Sequence, residues 1–271
     1  MTPATPGDPP PRHELTVLAV NTGSSSLKLR VLDPSDDVVA GADIDRWDGT
    51  DTTPMDAVLT GGPPVDAVGH RVVHGGTELR GPTVIDDDVI DRIDALTTLA
   101  PLHQPRALAA IRATTKLLPS VPAVACFDTA YHADLPAVAA TLALPVEWRR
   151  RWPLRRYGFH GLSHAYAARR AAELLAADPA GLRVVTCHLG AGSSLCASHG
   201  GRSVDTTMGF TPLDGLVMQT RSGSLDPGLV LWLLTEAGLT PEAVRDWLEH
   251  DGGIAGLAGV SGDLLDVLSA R

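Results

Sequence analysis

The chain has 271 residues, is 44% hydrophobic and carries a formal charge of -10. That is apolar material for one large core or two ordinary ones, and the acidic balance argues against nucleic acid or an anionic membrane as the main partner. Only Lys28 and Lys116 among the 22 basic residues are lysines, so any anionic ligand must be met by a local cluster drawn mostly from arginines.

In chain order, the start MTPATPGDPPPRH is proline-rich and lacks the basic and apolar regions of a signal peptide, so residues 1–13 are expected to form a disordered tail. LTVLAV then reads as a buried strand. LKLRVLD alternates, with Leu27, Leu29 and Val31 on one face and Lys28 and Arg30 on the other, which makes NTGSSS a strand-to-strand turn. AVGHRVVHGG is a further strand, with Arg71 and Val73 on one face and His70, Val72 and His74 on the opposite one.

DDDVIDRIDALTTLA and PRALAAIRATTKLLP predict amphipathic helices, the first opened by acidic residues and the second by proline. AVACFDTAYH, 123–132, reads as an apolar strand running into an acidic, hydroxylated end. Cys126, Cys187 and Cys196 lack paired spacing, which predicts neither a disulfide framework nor a zinc knuckle and fits a reducing cytoplasm. No apolar run reaches the length of about 18 residues that a membrane span needs.

YGFHGLSHAYAARRAAELLA predicts a loop feeding a helix that starts near Ser163. RVVTCHLGAGSSLCASHGG then repeats the strand, Gly-Ser loop and strand of the first unit, and this recurrence predicts a duplicated architecture. RSVDTTMGFTPLDGLVMQTRSGSLDPG is polar, glycine-rich and too long for a simple turn. Helices are expected near Leu229 to Glu236 and Thr240 to His250, the latter with Thr240-Pro241 as cap and first turn and Gly252 as its stop. GDLLDVLSAR reads as a helix.

Small residues whose successive backbone N–H groups point into one concavity make an anion site. Ser24, Ser25 and Ser26 add hydroxyl donors, and Lys28, two residues beyond Ser26, shares its face. G-x-x-x-x-G-K-[ST] is absent and a strand follows where a helix would begin, so neither loop is a strand-to-helix phosphate loop. His160 and His164 stand i to i+4, but Gly161 intervenes and the glutamate of H-E-x-x-H is missing, which disfavours a zinc site.

VNTGSSSLK, GHRVVHGG, APLHQP, FDTAYH, RRYGFHGLSH, HLGAGSS and SVDTTMGFTPLDGLVMQTRSG together resemble the acetate kinase family, in the same order, over 15–271. The resemblance implies an α/β fold of duplicated actin-like (ribonuclease H-like) domains with mixed sheets around a nucleotide cleft. The first domain spans 14–131 and the second, 132–271, is incomplete. The implied reaction is reversible in-line transfer of the terminal phosphoryl group of ATP to acetate, giving acetyl phosphate and ADP, in the cytoplasm. Family members are commonly homodimers.

The implied roles follow. Arg71 and Arg221 flank the transferring group and His160 donates a hydrogen bond to it, while the residue matching Asp128 is the family's proton donor or acceptor. Acetate is already ionised at neutral pH, so holding Mg²⁺ through water or orienting the arginines suits Asp128 better than acting as a base. Asn21 matches a magnesium-contacting residue, though one neutral amide makes an incomplete site. Ser24, Ser26, Lys28, the 188–192 stretch of His188, Leu189, Gly190, Ala191 and Gly192, and Asp263, Leu264 and Leu265 match nucleotide contacts. Val73, Leu102, Phe159 and Pro212 form the apolar pocket for the acyl methyl group. His103 is either a site residue or a structural histidine.

Three departures from the family pattern bear on these roles. Ala191 replaces an asparagine of H-L-G-N-G, Leu265 stands where an arginine lies beside the adenosine, and the family continues past the end of this chain with an adenosine loop and a magnesium-binding glutamate. Strong kinase activity is therefore not expected of residues 1–271 alone. A non-catalytic actin-like nucleotide-binding module, a propionate-preferring kinase and, more distantly, an acyl phosphate hydrolase are the alternatives.

Overall fold

A computed structural model describes residues 15–23 and 26–270; the expected tail and the Ser24 and Ser25 positions lie outside the described residues. The chain divides into two compact units, one holding the chain up to Val72 with Pro82–Cys126, the other Val73–Gly81 with the chain from Phe127 onward.

In the first unit, β1 (Val17–Thr22) and β2 (Ser26–Leu32) form an antiparallel hairpin with Asn21 opposite Lys28 and Thr22 opposite Leu27. β3 (Val38–Asp45) adds antiparallel to β2, and β4 (Ala67–Val72) runs parallel on the other side of β1. β5 (Thr83–Val84) and β6 (Ala123–Phe127) complete a mixed sheet of order β3-β2-β1-β4-β6-β5. The period-two alternation that defines β2 decides its packing. Leu27, Leu29 and Val31 are fully buried with Leu18, Val20 and Val68, against Trp47, Met55, Val58 and Ala110, and Lys28 stays exposed.

The two predicted helices are present as Asp87–Ala95 and Gln104–Leu117. DDDVIDRIDALTTLA does not stay helical throughout: the helix stops at Ala95, and Thr97–Leu99 forms a single 3-10 turn. Asp86 caps the first helix, its carboxylate accepting from Val89 N at 2.8 Å. Asp86→Ala is expected to lower unfolding stability by about 1 kcal/mol, measured by urea denaturation. Two elements had no clear sequence signal, β3 and the Thr53–Gly61 helix.

The second unit repeats the hairpin. β7 (Arg183–Leu189) and β8 (Ser193–His199) pair antiparallel, and β9 (Arg202–Thr206) adds to β8, giving a sheet of order β7-β8-β9. β1 has partners on both sides, whereas β7, its counterpart, pairs only with β8 among the described residues, and its Val185 and Leu189 are 67% and 73% exposed. β9 comes from the polar stretch that had not read as a strand.

AVACFDTAYH also differs from expectation. The strand stops at Phe127, and Ala130–His132 is a 3-10 turn. The Asp128 carbonyl accepts from Gly161 N at 2.9 Å instead of extending a sheet ladder. The chain-terminal half matches its signals more closely. Thr240 Oγ1 accepts from Ala243 N at 3.2 Å at the head of Pro241–Asp246, which runs on as a π turn, Trp247–Asp251, to Gly252.

Candidate active site

In the first unit, sheet register places the polar site candidates in one row. Lys28 of β2 is opposite Asn21 of β1, and Asn21 is in turn level with Arg71 of β4. Arg71 Nη1 donates to Asn21 Oδ1 at 3.0 Å. Ser26 opens β2, and Gly23 N donates to Ser26 O at 2.8 Å to close the hairpin. Leu102 lies in a turn before the Gln104–Leu117 helix, 37% exposed, and His103 occupies the N-cap position of that helix without capping it.

Magnesium binding can be tested against these residues. The cation normally takes six oxygens in near-octahedral array. Asn21 offers one neutral amide oxygen that already accepts from a guanidinium, and no cluster of three His, Cys, Asp or Glu side chains able to hold a metal occurs among the described residues. The described residues do not build a protein-held magnesium site; an outer contact to a cation carried by a ligand is what Asn21 can provide.

In the second unit, the turn GFHG brings the site candidates together. His160 adopts a left-handed conformation with φ of 57° at the head of the Gly161–Leu174 helix, a conformation uncommon for a residue bearing a Cβ. The helix therefore starts two residues earlier than the Ser163 expected. Gly161 is required by close approach: a Cβ there would overlap the Asp128 carbonyl oxygen. Gly161→Ala would ordinarily stabilise a helix by about 1 kcal/mol; here it is expected to destabilise by about 2 kcal/mol, measured as a lower urea midpoint.

His160 and Arg221 converge on Gly192, where an added Cβ would lie 3.3 Å from the His160 ring and 3.4 Å from Arg221 Nη1. The His188 ring stacks on His160 with centroids 4.0 Å apart, and its Nδ1 pairs with Ser163 Oγ at 2.9 Å. The loop at Gly190 to Gly192 is closed by Gly190 N donating to Gly192 O at 3.1 Å, with Leu189, Gly190 and Ala191 exposed. Gln219 N donates to Ala191 O at 3.2 Å, which ties this loop to the one bearing Arg221. That second loop is braced in turn, as Ile254 N and Ala255 N donate to Met218 O and Gln219 O at 2.9 and 3.0 Å.

Behind His160 lies a hydrogen-bonded line that sequence reasoning missed. His160 Nδ1 meets Ser194 Oγ at 2.9 Å, Ser194 Oγ meets His164 Nε2 at 2.8 Å, and His164 Nδ1 meets Thr186 Oγ1 at 2.7 Å. Both ring nitrogens of His164 are thus occupied, which rules out the i to i+4 metal pair. Burial pushes the His164 imidazole down to about 4, so it is neutral at pH 7. His132, also buried, accepts from Ser203 and donates to the Phe159 carbonyl; burial holds it near 4 even though the neighbouring Asp128 carboxylate raises it. Asp128 is 2% exposed.

The remaining candidates are more scattered. Val73 and Phe159 are buried, the latter with its ring edge-on to His74 at 5.6 Å, and Pro212 is half-buried. Asp263 is the N-cap of the Leu264–Ser269 helix and accepts from Leu265 N at 2.8 Å, while Leu264 and Leu265 are exposed.

Comparison with known proteins matches this architecture. The acetokinase family model covers residues 51–271. Acetate kinase of Thermoanaerobacter pseudethanolicus is 48% identical over 206 residues, 76% of this chain and 51% of that protein, so the match spans about half the length of that relative. The solved structure of Porphyromonas gingivalis acetate kinase superposes with a TM-score of 0.86 at 34% identity, covering 94% of this chain and 73% of that one. A propionate kinase from Francisella tularensis gives 0.87 at 31% identity, with the same coverage. The fold is therefore the α/β, mixed-sheet, actin-like fold of these kinases, and the chain belongs to the acetokinase family.

Proposed function

We propose that this chain carries the phosphoryl-transfer machinery of an acetate kinase, moving the terminal phosphoryl group of MgATP to acetate and, in reverse, from acetyl phosphate to ADP. The observation that carries the proposal is the convergence of the His160 ring and the Arg221 guanidinium on Gly192, a position with no side chain to keep a phosphate away. Phosphoryl transfer asks a protein mainly to align reactants and neutralise charge on the equatorial oxygens. Arg71 and Arg221 supply that charge, His160 a hydrogen bond, and the backbone at Gly190 to Gly192, with His188, Leu189 and Ala191, a cradle for the nucleotide phosphates.

In the same proposal Ser24, Ser26 and Lys28 contact the nucleotide, as do Asp263, Leu264 and Leu265. Magnesium enters as part of the nucleotide substrate, with Asn21 touching its water shell. Asp128 holds the GFHG turn through its backbone, and its carboxylate holds Mg²⁺ through water or orients Arg71 and Arg221; acetate needs no base. Val73, Leu102, Phe159 and Pro212 receive the acyl methyl. A cytoplasmic setting fits the three free cysteines, and no helix among the described residues is long and apolar enough to cross a membrane. A homodimer is part of the proposal.

Propionate is the second substrate to test, because the Francisella tularensis propionate kinase superposes as well as the acetate kinase does. One methylene in an apolar pocket is worth about 1–3 kcal/mol, so kcat/KM for acetate and propionate, measured side by side, is expected to differ by about tenfold or more, and the direction of that ratio names the preferred acid.

The test is hydroxylamine trapping of acetyl phosphate from acetate and MgATP. It compares this chain with a chimera extended by the segment in which the Thermoanaerobacter pseudethanolicus enzyme exceeds it. Strong acetohydroxamate formation is expected from the chimera and little from the chain alone. Formation by neither would overturn the proposal in favour of a nucleotide-binding module that performs no transfer, and rapid turnover by the chain alone would contradict the need for the extension.

A further inference from the structure

Ser194 Oγ carries one hydrogen and faces two imidazole nitrogens, His160 Nδ1 at 2.9 Å and His164 Nε2 at 2.8 Å. It pairs with both rings by donating to one nitrogen and accepting from the other. In that fully paired arrangement a proton on His164 Nε2 goes with a bare His160 Nδ1, and the reverse. The tautomers of the two rings are coupled through a single hydroxyl that is fully buried.

Thr186 sets the direction. Its hydroxyl has two neighbours, His164 Nδ1 at 2.7 Å and the Cys196 carbonyl at 3.4 Å. Thr186 Oγ1 can donate to either neighbour, and in the arrangement proposed below its hydrogen takes the shorter contact, to His164 Nδ1, in place of the long bond to the Cys196 carbonyl. His164, neutral, then carries its proton on Nε2 and donates to Ser194. Ser194 in turn donates to His160 Nδ1, which leaves the neutral His160 ring with its hydrogen on Nε2.

We propose that Ser194, backed by His164 and Thr186, is a positioning residue that holds His160 as the neutral Nε2–H tautomer, so that the ring donates a hydrogen bond without becoming a second cation beside Arg221. This rests on the phosphoryl-transfer function proposed above and deepens it, because an oxyanion gains only from a nitrogen that carries a hydrogen. Fixing a tautomer from behind is a recognised way to prepare an active-site imidazole. It also gives a function to two residues of the second Gly-Ser hairpin whose side chains point inward, away from its exposed loop.

The test is long-range 1H–15N correlation of histidine-labelled protein at pH 7, with His160 assigned by its loss in His160→Gln. The spectrum is expected to show His160 and His164 both protonated at Nε2, and Ser194→Ala to give His160 a clear Nδ1–H fraction that Ser194→Thr abolishes. A wild-type His160 protonated at Nδ1, or a His160 pattern unaltered by Ser194→Ala, would overturn the proposal. In the chimera, Ser194→Ala is expected to lower kcat by about tenfold or more with KM for acetate and MgATP changed less than twofold. Equal kcat in the variant and its parent would also overturn it. The spectra require no turnover, so an inactive chimera with the expected tautomers would remove the kinase function and leave the relay standing.

Discussion

Arg221→Ala and Arg71→Ala, made separately in the extended chimera, are each expected to lower acetyl phosphate formation by roughly a thousandfold or more. The loss should fall on kcat more than on KM, because charge spreads over the equatorial oxygens as the bond to the leaving group loosens. The backbone at both positions is held by main-chain hydrogen bonds. The Arg221 loop is held by backbone bonds from Ile254, Ala255 and Ser222, and Arg71 lies on a strand whose register is fixed by the β1 ladder. The thermal midpoints of both variants should therefore stay near that of the parent. Lysine at either position should recover only part of the rate, since an ammonium cannot present the planar pair of donors that a guanidinium offers. A loss of less than tenfold at both positions would remove them from the chemistry.

The second large effect concerns pH. Burial depresses His70, His74, His132 and His164 to about 4, against 6.5 for an exposed imidazole. Each is thus neutral in the folded chain and takes up a proton more readily once unfolded. The stability this neutrality contributes is fully present above about pH 6.5 and is lost as pH falls toward 4, with a slope of at most about 1.4 kcal/mol per pH unit for each ring. Four such rings acting together are comparable with the whole stability of a typical domain, about 5–15 kcal/mol. Urea unfolding at pH 7.5, 6 and 5 is expected to show the midpoint falling steeply, with unfolding in buffer alone near pH 5. A midpoint unchanged between pH 7.5 and 5 would show that the imidazoles are not held neutral. His70, whose Nε2 pairs with Thr114 Oγ1 at 2.9 Å in the first unit, permits a control: His70→Gln should reduce the pH slope without touching the site.

Much of the scaffold could be read in the residues because it obeys local rules. Alternation in LKLRVLD assigns Leu27, Leu29 and Val31 to the core, and the similar pattern around HLGAGSS marks the second hairpin. Thr240-Pro241 and the acidic run at Asp86 mark helix starts through caps whose backbone N–H donors lie three residues on. What depends on long-range pairing was not legible. AVACFDTAYH ends as a strand at Phe127 because the Asp128 carbonyl meets Gly161 N, 33 positions away in sequence. Ser194 and Thr186 passed as ordinary strand residues, because their partners His160 and His164 lie on a helix more than 20 positions away. The missed signal was present in form: HGLSH places two imidazoles one helical turn apart, and a strand bearing an inward serine follows.

The site itself was legible in residue type more than in arrangement. His160, Arg221 and Gly192 stood out as a donor, a cation and a bare backbone position in glycine-rich loops, and the structure places the His160 ring and Arg221 Nη1 both beside Gly192. Asn21 and Arg71 stood out singly, and the parallel register of β1 and β4 pairs them. Asp263, expected to serve a ligand, also caps its own helix. A short polar side chain just ahead of an apolar run has that second use open to it.

In the proposed function, bare backbone at the second hairpin, together with a guanidinium and an imidazole, forms the station for the moving phosphoryl group. Crystals of the chimera grown with MgADP, aluminium fluoride and acetate measure it most directly. Aluminium fluoride is predicted within hydrogen-bonding distance of His160 Nε2 and the Arg221 guanidinium, with the nucleotide phosphates against Gly190 to Gly192. Nucleotide bound away from that loop, or the fluoride bound without either side chain, would contradict the account.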